Sequence, residues 1–213
     1  MQGKERKDVI DNIYWTYDEN NVNLPAERKL LIVGQSGSGK TTLARYLCVK
    51  YPEMFEIIKN CTTRLRREED ENDFCYLSDD EFIKAKENGE FFFAKFGVKT
   101  LYGYKKLDYE KIVYSKKIPI FMFRFSGLQH LKNLMKNYYV IFLISELEES
   151  LLRSKDEIGN SLFVESKFIS EEIKNTISEF DKSKRKYIIV NNNYQEDFFA
   201  QITEVIIKDI VNT

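Results

Sequence analysis

Residues 30–47 leave this chain few folds to choose from. The apolar run Leu30-Leu31-Ile32-Val33 has the composition of a buried strand, and Thr42-Leu43-Ala44-Arg45-Tyr46-Leu47 has helical spacing. Between them lies Gly34-Gln35-Ser36-Gly37-Ser38-Gly39-Lys40-Thr41, a G-x-x-x-x-G-K-[ST] loop in the strand–loop–helix context that gives the pattern meaning. Gly34, Gly37 and Gly39 allow backbone angles that other residues resist, so successive N–H groups can turn toward phosphate oxygens. A helix N-terminus after Gly39 adds its positive dipole. Lys40 is placed to reach the β- and γ-phosphates as a point charge, and the Thr41 hydroxyl to ligate Mg²⁺. The expectation is a nucleoside triphosphate site at residues 34–42, Thr42 included, that takes ATP with Mg²⁺.

Composition narrows what else the chain can be. At 213 residues it can bury a substantial core, in one domain or one with small inserted lobes. A net charge of −1 gives no electrostatic footprint for nucleic acid or an anionic membrane. No apolar stretch approaches a bilayer span, and residues 1–7 lack the apolar segment of a signal peptide, so a cytoplasmic protein is expected. Cys48, Cys61 and Cys75 follow no metal or redox spacing and read as reduced thiols. The single histidine, His130, falls in an amphipathic helical stretch and reads as structural.

Strands alternate with helices along most of the chain. Residues 1–26 form an extension in which Val9, Ile10, Ile13, Tyr14 and Tyr17 have helical spacing, followed by a linker to Pro25. After the first helix, residues 54–58 read as a strand. Residues 60–104 hold an arginine-rich segment, an acidic run at Glu68–Glu71 and short aromatic strands around 74–77, 91–96 and 101–104. They also hold the capping box Ser78-Asp79-Asp80-Glu81, which opens a helix ending near Gly89. This segment is expected as a small lobe inserted between core elements. The core resumes with a helix near 107–114 and the strand 118–125. There Phe121, Phe123 and Phe125 alternate with Met122 and Arg124. Further strands at 138–144 and 187–190, with helices between and after them, complete 27–59 and 105–213 as the core. A polar break about 153–164 precedes a long helix to about Lys184. The fold class is α/β: a three-layer arrangement with a parallel, largely apolar sheet covered on both faces.

Several motifs in order extend the reading. Thr62-Thr63-Arg64-Leu65-Arg66-Arg67, Asp73–Phe82, Gly89-Glu90-Phe91, Leu101-Tyr102-Gly103 and Ile188-Ile189-Val190-Asn191 follow the glycine-rich loop. The set resembles the guanylate kinase family of P-loop nucleoside monophosphate kinases, over most of residues 29–210. The resemblance implies a five-stranded parallel core, a monophosphate-binding lobe at 60–104, a mobile lid at about 153–164, and transfer of a phosphoryl group from ATP to a small phosphorylated acceptor. It puts Arg64, Arg67 and Tyr102 at the acceptor phosphate, and a guanidinium fork suits phosphate oxygens. Asn60 stands where the family has a phosphate-contacting Ser. On the residues alone, Arg64–Arg67 could equally pair with Glu68–Glu71 as a solvated surface loop.

The departures from the family pattern are specific. At the two positions that read guanine the family has a Glu and a small hydroxyl residue, and this chain has Phe93 and Tyr104. Unpaired N1–H and 2-amino donors would each cost about 1–3 kcal/mol, so GMP is expected to be a poor acceptor. The short loop before Asp73, with Glu71-Asn72, resembles the ribose 1,5-bisphosphate phosphokinase branch, which raises a sugar phosphate as an acceptor. Met122 and Arg124 replace an acidic pair on the third core strand. Arg124 could bind a transferring phosphate or pair with a structural acid. The lid is arginine-poor, with Arg153 and Lys155. Lys40, Arg67, Arg124 and Arg153 are the candidate catalytic cations. The alternative function is a catalytically weak nucleotide-binding or protein-interaction module. A P-loop motor would need more chain and further NTPase motifs.

Overall fold

The computed structural model describes Trp15–Thr16, residues 28–35, 37–66, 73–96, 100–125, 138–144 and 186–190, and part of a C-terminal helix at 199–200, 203–204 and 207–208. Ser36, Arg67, His130, Arg153, the lid about 153–164, and residues 1–26 apart from Trp15–Thr16 lie outside these residues.

Among the described residues the core sheet has five parallel strands: β2 (Lys29–Val33), β3 (Phe55–Ile57), β8 (Ile118–Phe123), β9 (Tyr138–Ile144) and β10 (Lys186–Val190). Their order is β10-β9-β2-β8-β3, so the strand feeding the glycine-rich loop is central. These are the five apolar runs expected from sequence. Helix α1 (Lys40–Lys50) covers one face, where Leu43, Ala44 and Leu47 pack with Leu30, Ile32, Ile120, Met122 and Ile141. Helix α3 (Lys106–Tyr114) covers the other, where Tyr109, Ile112 and Val113 meet Leu31, Val33, Phe121, Phe123 and Phe142. The alternation in β8 therefore does what its pattern implies, sending the phenylalanines to one layer and Met122 to the opposite one.

A second sheet is built between β3 and α3. It comprises β1 (Trp15–Thr16), β4 (Asn60–Thr62), β5 (Phe74–Tyr76), β6 (Phe91–Phe96) and β7 (Leu101–Lys105), in the order β1-β6-β7-β4-β5. Helix α2 (Asp79–Glu87) packs on it, with Phe82 and Ala85 against Cys61, Phe91 and Ala94. Its capping box forms as expected: the Ser78 hydroxyl accepts from the Glu81 N–H, and the Glu81 carboxylate accepts from the Ser78 N–H at 2.7 Å. The outer strand β1 (Trp15–Thr16) comes from the N-terminal extension and pairs antiparallel with Lys95 and Ala94. The helical spacing around Tyr14 predicts a helix there, and at Trp15–Thr16 the backbone is a strand instead. An isolated short helix is marginal, while the edge of β6 offers unpaired N–H and C=O groups to any extended segment in reach.

The two sheets share one core. Phe92, Phe93 and Tyr104 of the second sheet pack among Phe121, Phe123 and Tyr109, with Tyr104 edge-on to Phe121 at 5.2 Å and to Phe123 at 5.3 Å between ring centroids. Edge-to-face pairs of this kind contribute about 0.5–1.5 kcal/mol each beyond area burial.

Candidate active site

The glycine-rich loop leaves the carboxyl end of β2, the edge at which open α/β sheets bind their ligands. Its first N–H, on Gly34, donates to Phe123 O at 3.1 Å and so ties the loop to the end of β8. A Cβ on Gly34 would stand 2.4 Å from Leu143 O and 2.5 Å from Ser38 Oγ. Gly34 is thus required by space, whereas angle is the expectation from sequence. Gly37 and Gly39 do adopt the left-handed conformation, with φ of 73° and 93°.

Gly39 caps α1 without any side-chain hydrogen bond, and the first turn of α1 carries no acidic residue. The N–H groups and positive dipole at that end suit an anion. The Lys40 ammonium lies folded across the loop and donates to Gln35 O at 2.6 Å. Thr41, half-buried on the first turn of α1, presents a hydroxyl oxygen of the hard donor type that magnesium takes. Among the described residues no cluster of His, Cys, Asp or Glu is built to hold a metal by itself. That donor set fits an ion held chiefly by nucleotide phosphates, with Thr41 as its protein ligand. Thr42 is exposed beside it. Arg124 directly follows Phe123, whose carbonyl holds Gly34, so the backbone puts it at the start of the loop, with an exposed side chain.

On the second sheet, Asn60 of β4 and Tyr102 of β7 come from adjoining strands, and Arg64 lies just past the end of β4. The register sets Tyr102 opposite Thr62, two residues before Arg64. Asn60 braces β4 to β7: its Oδ1 accepts from Gly103 N at 3.2 Å and its Nδ2 donates to the Tyr104 hydroxyl at 3.4 Å. The Arg64 guanidinium lies 4.5 Å over the Phe74 ring and 5.6 Å from the Tyr76 ring, and donates to Leu65 O. Phe74 and Tyr76 therefore act as a stacking platform for Arg64, a role that strand alternation in Phe74-Cys75-Tyr76 could have signalled.

Phe93 and Tyr104, expected to line the acceptor site, are core residues. Phe93 is 5% exposed and Tyr104 fully buried. The Tyr104 hydroxyl donates to Met122 O at 2.7 Å and accepts from Met122 N at 3.2 Å, closing the free edge of β8 beyond its pairing with β3. Burial pushes this phenol above its ordinary range, against the opposing effect of the Met122 and Asn60 hydrogen bonds, and keeps it a neutral donor. Rings that fill the inter-sheet core so completely present little surface to a ligand.

Sequence reasoning missed one further contact. Arg45, on α1, meets Asp73 at the entry to β5, with Nε 2.9 Å and Nη2 2.5 Å from the same carboxylate oxygen. The helix that begins at the phosphate loop is thereby tied to the strand that carries the Arg64 platform.

Comparison with known proteins agrees with this architecture. The guanylate kinase family profile matches residues 26–209. Curated relatives include a guanylate kinase of Chlamydia felis, 28% identical over 171 residues that cover 78% of this chain and 81% of that one. Another is a guanylate kinase of Mesomycoplasma hyopneumoniae, 28% identical and covering 87% and 97%. The crystal structure of guanylate kinase from Anaplasma phagocytophilum shares the fold, with a TM-score of 0.59 at 19% identity and 85% of each chain covered. The chain belongs to the guanylate kinase family of P-loop kinases, which works with ATP and magnesium.

Proposed function

We propose that this kinase transfers the γ-phosphate of ATP to a nucleoside monophosphate, with GMP accepted but weakly distinguished from other purine monophosphates. The observation that carries the reading is the acid-free N-terminus of α1 at the end of β2, on a helix that Arg45–Asp73 ties to the strand carrying the Arg64 platform. The relatives' name points to GMP. The relatives named above, both guanylate kinases, lend no support to a sugar phosphate.

The chemistry is mostly positioning and charge neutralisation. Loop N–H groups and Lys40 hold the donor phosphates, Lys40 leaving Gln35 O to reach them. The stacked Arg64, with Arg67 and Tyr102, takes the acceptor phosphate. Arg124, next to the loop, offsets charge at the transfer point, where an acid is usual, and Arg153 is a further candidate cation for the same role. The Thr41 hydroxyl would hold magnesium, which would supply further neutralisation of the triphosphate.

Base discrimination is the part in which this chain departs. With Phe93 and Tyr104 committed to the core, neither receives the N1–H or 2-amino group of guanine. IMP differs from GMP only by lacking the 2-amino group, so kcat/KM for IMP should fall within about tenfold of that for GMP. A preference for GMP over IMP beyond about a hundredfold would overturn the weak-discrimination reading. Lys40→Ala should abolish transfer to either and weaken ATP binding in calorimetry, while the melting temperature without ligand stays close to that of the unmodified protein.

A further inference from the structure

Cys61 and Cys75 are far apart in the chain and side by side in the fold. They are register partners across the parallel pair β4–β5. Neighbouring strands run about 4.8 Å apart, inside the roughly 4.4–6.8 Å between Cα atoms that a disulfide spans. Both side chains border the same small cluster beneath α2. Cys61 is fully buried and Cys75 half-buried, so one thiol is shielded and the other can be approached from solvent. Cys48, on α1, is in neither strand.

Strand alternation gives this pair a second property. Successive residues point to opposite faces, so Phe74 and Tyr76, which flank Cys75, face away from it and carry the Arg64 guanidinium. A bond on one face of β5 would fix the platform on the other.

We propose that Cys61 and Cys75 form a reversible dithiol–disulfide pair that closes under a disulfide oxidant such as oxidised glutathione and staples the Arg64 platform to β4. The accessible Cys75 thiolate attacks one sulfur of the oxidant and expels the other as a thiolate, leaving a mixed disulfide on Cys75. Cys61 then gives up its proton, and its sulfur attacks the Cys75 sulfur and expels the second thiolate. Net, two protein thiols and one oxidant disulfide become one protein disulfide and two small thiols. Burial pushes the Cys61 thiol well above its ordinary value, so the second step is the slow one. The staple forms whether or not the functional reading above holds; only its effect on catalysis rests on that reading.

The test is to equilibrate the folded protein in glutathione buffers of graded oxidation, trap free thiols by alkylation and map the peptides. The result expected is a Cys61–Cys75 link, reversed by dithiothreitol, with Cys48 still alkylated. Amide hydrogen exchange over residues 73–77 should slow in the linked form, and the KM for GMP should change by about threefold or more with ATP affinity unaltered. Cys75→Ser should abolish the link and the redox dependence while behaving like the reduced protein. Cys61→Ser, whose site is buried, should stop at a glutathione adduct on Cys75. A lasting adduct on Cys75 in the unmodified protein, or a link that involves Cys48, would overturn the pair. A link that leaves exchange at 73–77 unchanged would overturn the coupling to the platform. A link with slowed exchange but no turnover of GMP would count against the acceptor assignment and leave the staple standing.

Discussion

Single atoms decide what two of the most telling residues do. Tyr104 is a tyrosine because one hydroxyl satisfies both the N–H and the C=O of Met122 where the β8 edge has no strand to pair with. Tyr104→Phe keeps the ring and orphans both backbone groups in a buried place, so it should destabilise the fold by about 1–3 kcal/mol, seen as a lower urea midpoint at unchanged slope. An unaltered midpoint would mean that water reaches Met122. Gly34 is decided by a carbonyl, since a methyl there would press on Leu143 O and Ser38 Oγ. Gly34→Ala should therefore displace the loop and abolish ATP binding in calorimetry, even where the protein still folds. The glycine is legible in the sequence as part of the motif. The reason for it is not, because Leu143 lies over a hundred residues away and only sheet pairing brings its carbonyl there.

Between elements, the Arg45–Asp73 pair sets how α1 and β5 meet. The Asp73 side chain is 11% exposed and Arg45 32%, so the pair is partly screened. A double-mutant cycle with Arg45→Ala and Asp73→Ala should give a coupling energy of about 1 kcal/mol by denaturation. If the pair also positions the Arg64 platform relative to the phosphate loop, each single variant should raise the KM for GMP more than the KM for ATP. The exchange Arg45→Asp with Asp73→Arg should recover part of the loss, and equal effects on both substrates would show that the pair only stabilises. Nothing in the local pattern at either residue signals this contact. By contrast, α2 is legible in full from Ser78-Asp79-Asp80-Glu81, because a capping box satisfies its own backbone groups within four residues. Strand β1 fails for the opposite reason: its conformation is set by β6, a partner some eighty residues on.

At the scale of the molecule, two sheets with one aromatic core should unfold together, and surface carboxylates should set the acid limit. Hydrogen bonds from Ser78 hold the Glu81 carboxyl below its ordinary value of 4.5, and Lys105 does the same to Glu90. A depressed carboxyl stabilises the fold above its unfolded value, and that stabilisation is lost as pH falls through the lower folded one. The melting temperature should therefore drop as pH is lowered below about 4.5, with a shallower dependence in the double variant Glu81→Gln, Glu90→Gln. An identical dependence in that variant would place the acid sensitivity elsewhere. What the amino-acid sequence determined alone was everything with a short range or a strict period. The phosphate loop follows from its glycines and flanking elements, the five core strands from apolar runs, and α2 from its cap. Tertiary structure decided the residues whose environment comes from remote chain. It turned Phe93 and Tyr104 from candidate ligand contacts into core, made Phe74 and Tyr76 a seat for Arg64, and set Cys61 beside Cys75. The physical reason is that a side chain's type limits what it can bind, while its burial and partners, which here come from strands that pair across the fold, decide what it does bind.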